Sequence, residues 1–464
     1  MSTVLGLDLG TSSFKVSAYE ETGRHLGTLS RPTEWEKAAG VLEMDPNWFS
    51  ASVRQLVDDC AQAYADGPVA GVGVTGMAET MFVETADGRR LPARAWNTRA
   101  GSMPLPDDDL FATTGLLDSA RTPAVQLRAT TEIGVPVHSW AGLPERAVQM
   151  LGGRLVAERS LAARTGLVDV LRGRWSPAMV GWAGLDVETV PVIQPAGKES
   201  GRCDLPDRCA DAVLTVAGHD HLVAALGAGA DGDETAFDSF GTGEALIARI
   251  ARTPDEVDSV RLAAFNAAGY NVGLGLDESD LVAVRGLSTG NRLNVLLAAL
   301  AGLGFPPDEV MLAEANAASL VGVGFIHSMP SALTELLSDL FGPDWQNLRD
   351  SGTAGTVLRS TVLDLAGARA VWWAAVAVAT EVARDSLTSL DVLLPGLGKL
   401  VATGGWLRNP GIRRIREDVL GPFEVPDVLQ CGTRGAALLA GQACGLFPSR
   451  ADFPAAPTRA GVNE

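Results

Sequence analysis

Cysteine is scarce in this 464-residue chain: Cys60, Cys203, Cys209, Cys431 and Cys444 are odd in number, and no two stand in a CxxC pair. That argues against a disulfide framework and a structural zinc site, and it fits a reducing cytoplasm. Basic residues are in deficit as well. With 37 Lys and Arg against 56 Asp and Glu, the formal net charge is -19 and no basic patch offsets it, so a nucleic-acid partner is not expected. Long apolar runs are missing. The most apolar stretch, Ala370 to Thr380, is bounded by Arg369 and Glu381. It is shorter than the ~20 residues that cross a bilayer, which reads as a buried helix in a chain without membrane association. The opening run, Met1 to Leu9, carries Asp8 and lacks a basic lead-in, so it reads as a strand and not as a signal peptide. The Walker-type phosphate loop and a convincing dinucleotide GxGxxG are absent too.

What is present is a 46% hydrophobic composition, enough to fill two cores of roughly 200 residues each. Val4 to Leu9, Phe14 to Tyr19 and His25 to Ser30 form a strand meander, followed by a helix over Pro46 to Ala65 and a buried strand over Val69 to Thr75. A hairpin around Asp87-Gly88 leads into Arg94 to Trp96. The stretch Gly101 to Arg208 is richer in breaks, with helices at Pro144 to Met150 and Ser160 to Thr165. The acidic turn Asp231-Gly232-Asp233-Glu234 divides the chain into domains 1–230 and 231–464. Beyond it, helices are expected at Arg292 to Ala301, Asp308 to Ala318, Ala368 to Leu390, Gly411 to Leu420 and Arg434 to Cys444, with a strand at Lys399 to Thr403. Interleaved strands and helices define an α/β class.

Four places can carry chemistry. Asp8-Leu9-Gly10-Thr11, followed by Ser12, ends one strand and turns into the next. Its small residues let backbone N–H groups and the Thr11 hydroxyl approach phosphate oxygens, while Asp8 can hold Mg²⁺; taken alone it is also an ordinary polar hairpin turn. The motif returns at Asp238-Ser239-Phe240-Gly241-Thr242-Gly243, and two such loops are what a nucleotide clamped between duplicated domains requires. Gly218-His219-Asp220-His221 follows an apolar strand, Ala212 to Val216. Asp220 there is either a base for a bound hydroxyl or a helix N-cap, and metal binding by the two histidines lacks the further ligands it would need. Finally, Gly404-Gly405 clears space for a flat ring and Asn409 offers a donor and an acceptor to adenine; a routine strand-to-helix loop is the alternative.

In order and spacing these elements resemble the FGGY family of carbohydrate kinases over nearly the whole chain. Val72-Gly-Val-Thr-Gly76 to Trp96-Asn97, Arg164-Thr165-Gly166-Leu167, Gly286-Leu-Ser-Thr-Gly290 and Gly432-Thr-Arg-Gly435 are similar to the family's landmarks. The resemblance implies a two-domain, actin-like (ribonuclease H-like) ATPase fold, each domain a mixed sheet flanked by helices, with ATP and Mg²⁺ as cofactors. It implies Asp220 as general base, Asp8 as the metal-associated carboxylate, and Gly10, Thr11, Ser12, Gly241, Thr242 and Gly243 as phosphate contacts. Gly404, Gly405 and Asn409 fall on the adenosine side, and Glu79, Met77, Trp96 and Asn97 beside the acceptor. Met77 and Ala78 replace polar side chains common in the family, and Thr98-Arg99-Ala100 departs from its usual pattern, so a less polar acceptor pocket is expected. The function implied is phosphorylation of a ketose, pentulose-type first, or of a related polyol or aldonic acid. The competing class is an actin-like binding or chaperone module that phosphorylates no acceptor. A cytoplasmic homodimer is the default for such an enzyme.

Overall fold

The computed structural model describes residues 2–38, 41–98, 110–118, 120–188, 190–241, 243–251, 257–312, 331–342 and 353–457. The chain forms two compact units. One comprises Met1–Asp233, Ile247–Val284 and Pro426–Glu464; the other comprises Glu234–Leu246 and Arg285–Val425. These are not the sequential halves 1–230 and 231–464 expected from the sequence, because the C-terminal segment belongs to the first unit.

The first unit is built on a six-stranded mixed sheet in the spatial order Gly201–Arg202, Val213–His219, Val69–Gly76, Thr3–Leu9, Ser13–Glu20, His25–Pro32. Thr3–Leu9 runs antiparallel to Ser13–Glu20 and parallel to Val69–Gly76, which in turn runs parallel to Val213–His219. Residues alternate between faces, as the period of two requires. Leu5, Leu7 and Leu9 enter the larger core with Phe49, Val53 and Val57 of the helix Pro46–Tyr64. That helix starts where its sequence says it should: Asp45 Oδ1 accepts from the N–H groups of Asn47 and Trp48, both at 2.8 Å, and proline occupies the first turn. On the other face, Val4 and Tyr19 pack against Ala437 and Ala440 of the C-terminal helix Cys431–Ala443. The approach is close because Gly6 and Gly73 present no side chain: a Cβ would lie 1.9 Å from Thr433 O at Gly6 and 2.0 Å from Ala436 O at Gly73.

The second unit pairs Thr235–Phe240 in parallel with Lys399–Thr403, from Thr235↔Lys399 to Ser239↔Thr403. Against this pair lies a helical layer: Thr289–Ala301, Ser331–Phe341, Leu365–Leu393 and Pro410–Leu420. Leu293, Leu297, Leu336, Trp372, Trp373 and Ile412 fill its core. The helix over Leu365–Leu393 is 29 residues long, well beyond the apolar stretch read from the sequence, and by length and composition it could cross a membrane. Ala368, Val371, Trp372, Ala375, Ala379 and Ala383 are all buried within the unit, which is the environment of a core helix. The expected helix Asp308 to Ala318 is described only as a turn over Pro307–Val310; residues 313–318 lie outside the described residues.

Candidate active site

Three strand ends converge at one edge of the first sheet. The registers pair Leu9 with Gly76 and Gly76 with His219, so the turns that follow all leave from the same edge: Gly10 to Ser12, Met77 to Thr80, and Asp220. Ends of parallel strands are where open α/β sheets place ligand chemistry. The site follows from sheet register, although its residues are far apart in sequence.

Asp220 is the first residue of the helix Asp220–Gly227, and its N-cap is His219. The capping alternative is therefore not realised. Asp220 Oδ1 accepts from the N–H of His221 at 2.8 Å, and the side chain keeps 29% of its surface exposed. Burial pushes Asp220 up to about 7; the charge of Glu79 adds to this, while the His221 N–H and the Arg164 guanidinium oppose it. Asp8 is also pushed up to about 7, first by burial and then by the charge of Asp220, against the pull of Lys15. His221 is lowered to about 4, and His219 well below its usual range, both chiefly by burial. Both imidazoles are thus neutral near pH 7. The 3.3 Å approach of His219 Nε2 to Asp220 is then not an ion pair.

Glu79 adopts a left-handed backbone, φ 60, uncommon for a residue with a side chain. Its carboxylate is held by Arg164, whose Nε donates to Oε1 at 2.7 Å and whose Nη2 bridges the same oxygen, and Gln126 Nε2 donates to its carbonyl at 3.4 Å. Arg164 was visible in the sequence only as a landmark; its role as the partner of Glu79 emerges from the fold. Thr11 ties the turn Gly10 to Ser12 to Trp96 and Met77. Its hydroxyl receives the Trp96 indole N–H at 3.0 Å and faces Met77 Sδ at 3.9 Å, while Trp35, unremarked in the sequence, donates to its carbonyl at 2.9 Å. Thr11, Ser12 and Asn97 are exposed.

Asp8 suits a metal carried in with phosphates. Among the described residues no three acidic, His or Cys side chains converge as a ready cage, and Mg²⁺ held by one carboxylate, waters and a polyphosphate needs none. The flank of Asp8 is clear because residue 432 is glycine, where a Cβ would come within 2.6 Å of Oδ2. A carboxyl pushed upward by burial and a neighbouring acid is one that a divalent cation would stabilise in its charged form.

The second unit corrects two expectations. Asp238 is fully buried and pairs with Arg416, which also donates to Glu244 at 2.7 Å and stacks 4.1 Å from the Phe240 ring. It is a structural ion pair and cannot serve as a second phosphate-side carboxylate. The reason is parity: Asp8 precedes its glycine by two residues and Asp238 by three, so the two acids point to opposite faces of their strands. Ser239, half-exposed, occupies the position equivalent to Asp8. Asn409 caps the helix Pro410–Leu420: Oδ1 accepts from Gly411 and Ile412 at 2.9 and 3.2 Å, and Nδ2 donates to Met311 O at 3.0 Å. Both functions meant for adenine are thus spent within the unit. Gly404, at φ 123, has to be glycine, since a Cβ would also lie 2.0 Å from Phe240 O, whereas Gly243 and Gly405 have open space where a side chain would project. Gly241 is half-exposed, and Thr242 lies outside the described residues.

No family model matches the chain. It is 26% identical to the glycerol kinase of Gloeobacter violaceus over 98% of this chain and 90% of that protein. Its fold superposes on a ligand-bound xylulose kinase from Lactobacillus acidophilus with a TM-score of 0.75 at 18% identity, covering 98% of this chain and 91% of the other. It superposes equally on Plasmodium falciparum glycerol kinase with ADP, at TM-score 0.75 and 16% identity over 99% and 93% of the two chains. The architecture is therefore the two-domain, actin-like ATPase fold. Within that fold, full-length similarity to glycerol kinases supports a carbohydrate kinase of the FGGY type.

Proposed function

We propose that this chain transfers the γ-phosphoryl group of ATP to a hydroxyl of a sugar or polyol, with Asp220 as the general base. The observation that carries the reading is the shared strand edge, from which Asp8, Glu79 and Asp220 all leave, close enough that the Glu79 charge raises Asp220 and the Asp220 charge raises Asp8. Relatives named for glycerol and xylulose support a polyol or ketose acceptor, and a structural neighbour solved with ADP supports ATP as donor.

Asp220 accepts the acceptor's hydroxyl proton as its oxygen bonds to the γ-phosphorus and the bond from that phosphorus to the β–γ bridging oxygen breaks, releasing ADP. Glu79, fixed by Arg164, orients the acceptor. Thr11 and the turn Gly10 to Ser12 offer a hydroxyl and N–H groups to phosphate, with Trp96 holding Thr11 in place. Mg²⁺, when bound at Asp8, supplies charge neutralisation on the phosphates. The free cysteines, with Cys60, Cys203 and Cys209 buried, support a reducing cytoplasm.

Acceptor-dependent ADP release across a panel of sugars and polyols tests the activity. Asp220→Asn is expected to lower kcat by roughly 10²- to 10⁴-fold with ATP binding little changed. ADP release indifferent to every acceptor would favour a nucleotide-driven binding module, and full turnover in the variant would remove Asp220 from its role.

A further inference from the structure

Beside Glu79 the first unit contains a narrow pocket with mostly apolar walls, among them Met77, Ala78, Met81, Trp140 and Trp175. Its lining includes no Lys, Arg or His, and one ionisable side chain besides Glu79: Glu145. Glu145 is 5% exposed, and its Oε2 has no hydrogen-bond partner. A buried oxygen left unmatched is destabilising, so a ligand group that restores the bond is favoured there.

Helix geometry explains where Glu145 stands but not the orphan oxygen. It is the third residue of the helix Leu143–Met150, whose N-cap is Gly142. From that position a glutamate ordinarily reaches back to the N-cap N–H. Gly142 leaves room for the carboxyl, since a Cβ there would lie 2.5 Å from Oε2, yet Oε2 finds no donor. Burial lifts Glu145 to about 8 against the pull of backbone N–H groups of Glu145 and Glu158 and the Arg146 charge, and the charge of Glu158 adds to the rise. The neutral acid that results near pH 7 has one O–H to give and one oxygen to receive.

We infer that Glu145 is a specificity-determining residue of the acceptor site, hydrogen-bonding a hydroxyl at the far end of a neutral polyhydroxylated acceptor while the pocket rejects sugar acids. This rests on the kinase reading, since the acceptor's other end is the one presented to Asp220. The apolar walls suit the C–H faces of a short stem. An acid's carboxylate would enter beside Glu79 and Glu145 with no cation in the lining to meet it, because Arg164 is already paired with Glu79. The composition of the pocket thus narrows the acceptor class and removes aldonic acids from it.

The test compares wild type, Glu145→Gln and Glu145→Leu on neutral polyols and ketoses, their terminally deoxy analogues, and aldonic acids. The readouts are kcat and KM for each acceptor, KM for ATP and Tm as checks on the fold, and tryptophan fluorescence during acceptor titration without ATP, reported by Trp140 and Trp175. Wild type is expected to prefer hydroxyl-terminated over deoxy acceptors by about tenfold or more in kcat/KM. Glu145→Gln, which still donates and accepts, should stay within about threefold of wild type, and Glu145→Leu should lose the preference mainly through KM. An unchanged preference in Glu145→Leu overturns the inference. So does equal damage from Gln and Leu, which would indicate an ionised carboxylate, and so does efficient turnover of aldonic acids. If no acceptor is phosphorylated but fluorescence shows hydroxyl-dependent binding that Glu145→Leu abolishes, the subsite stands and the kinase reading falls. If all three proteins turn acceptors over with identical selectivity, the kinase reading stands and the subsite falls. Absence of both turnover and binding removes both.

Discussion

Asp220 is poised near neutrality by opposing neighbours: burial and the Glu79 charge raise it, while the His221 N–H and Arg164 hold it down. A base must be deprotonated to accept a proton, so kcat/KM should fall by about tenfold per pH unit well below 7 and level off above it. Glu79→Gln removes a negative charge and leaves Arg164 unpaired, and both changes lower Asp220. The acid limb of the pH–rate profile should therefore move to lower pH, whatever happens to its height; an unmoved limb would mean that Glu79 does not act on Asp220. The buried pair in the second unit makes a different prediction. Arg416→Met leaves Asp238 and Glu244 buried together without their cation and should cost about 3–5 kcal/mol, read as a fall in Tm. At this scale the sequence revealed Asp8 and Asp220 as strand-end acids but misplaced Asp238. A one-residue shift ahead of a glycine reverses the face of a strand, and a motif match does not register parity. Asn409 is legible as a residue of the right chemistry, yet the helix N-terminus claims its Oδ1 and Met311 O claims its Nδ2.

Elements were read more easily than single side chains. The helices Pro46–Tyr64, Leu365–Leu393 and Pro410–Leu420 and the strands Val69–Gly76 and Lys399–Thr403 fall where periodicity and caps put them, because each buries a continuous face. The stretch between Gly101 and Arg208 was harder. Apart from Val137–Gly142, its described strands are only two residues long, such as Val168–Asp169 paired with Arg174–Trp175, too short to show any period. Nor did periodicity reveal what the C-terminal helix covers. Its seat depends on strand glycines: Gly73→Ala would place a methyl about 2.0 Å from Ala436 O, and the backbone has to move to admit it. The expected loss is about 1–3 kcal/mol, as for other overpacked sites, measured by chemical denaturation. A neutral result would show that the helix is seated more loosely than its contacts require.

For the whole molecule, the division of labour between units sets the last prediction. The first unit takes its C-terminal helix from residues more than 350 positions beyond two of the strands it covers, Thr3–Leu9 and Val69–Gly76, a long-range closure that no local pattern encodes. The acidic turn at Asp231 to Glu234 does lie at a junction, but a single boundary does not divide the chain in two, because the chain crosses repeatedly between units. Removing residues 426–464 should therefore damage the beginning of the chain and spare the segment just before the cut. Val4 and Tyr19 would lose Ala437 and Ala440, and the buried Thr433 and Arg434 contacts to Tyr19 and Gly227 would go with them. Hydrogen exchange should show lost protection in Thr3–Leu9 and Val69–Gly76, while the helices Thr289–Ala301 and Leu365–Leu393 keep theirs. Because the strands that lose protection carry Asp8 and lead into Glu79, turnover should disappear with them. Uniform loss across both units would mean that the second cannot stand without the first, and unaltered protection of Thr3–Leu9 would mean that the helix does not hold the sheet.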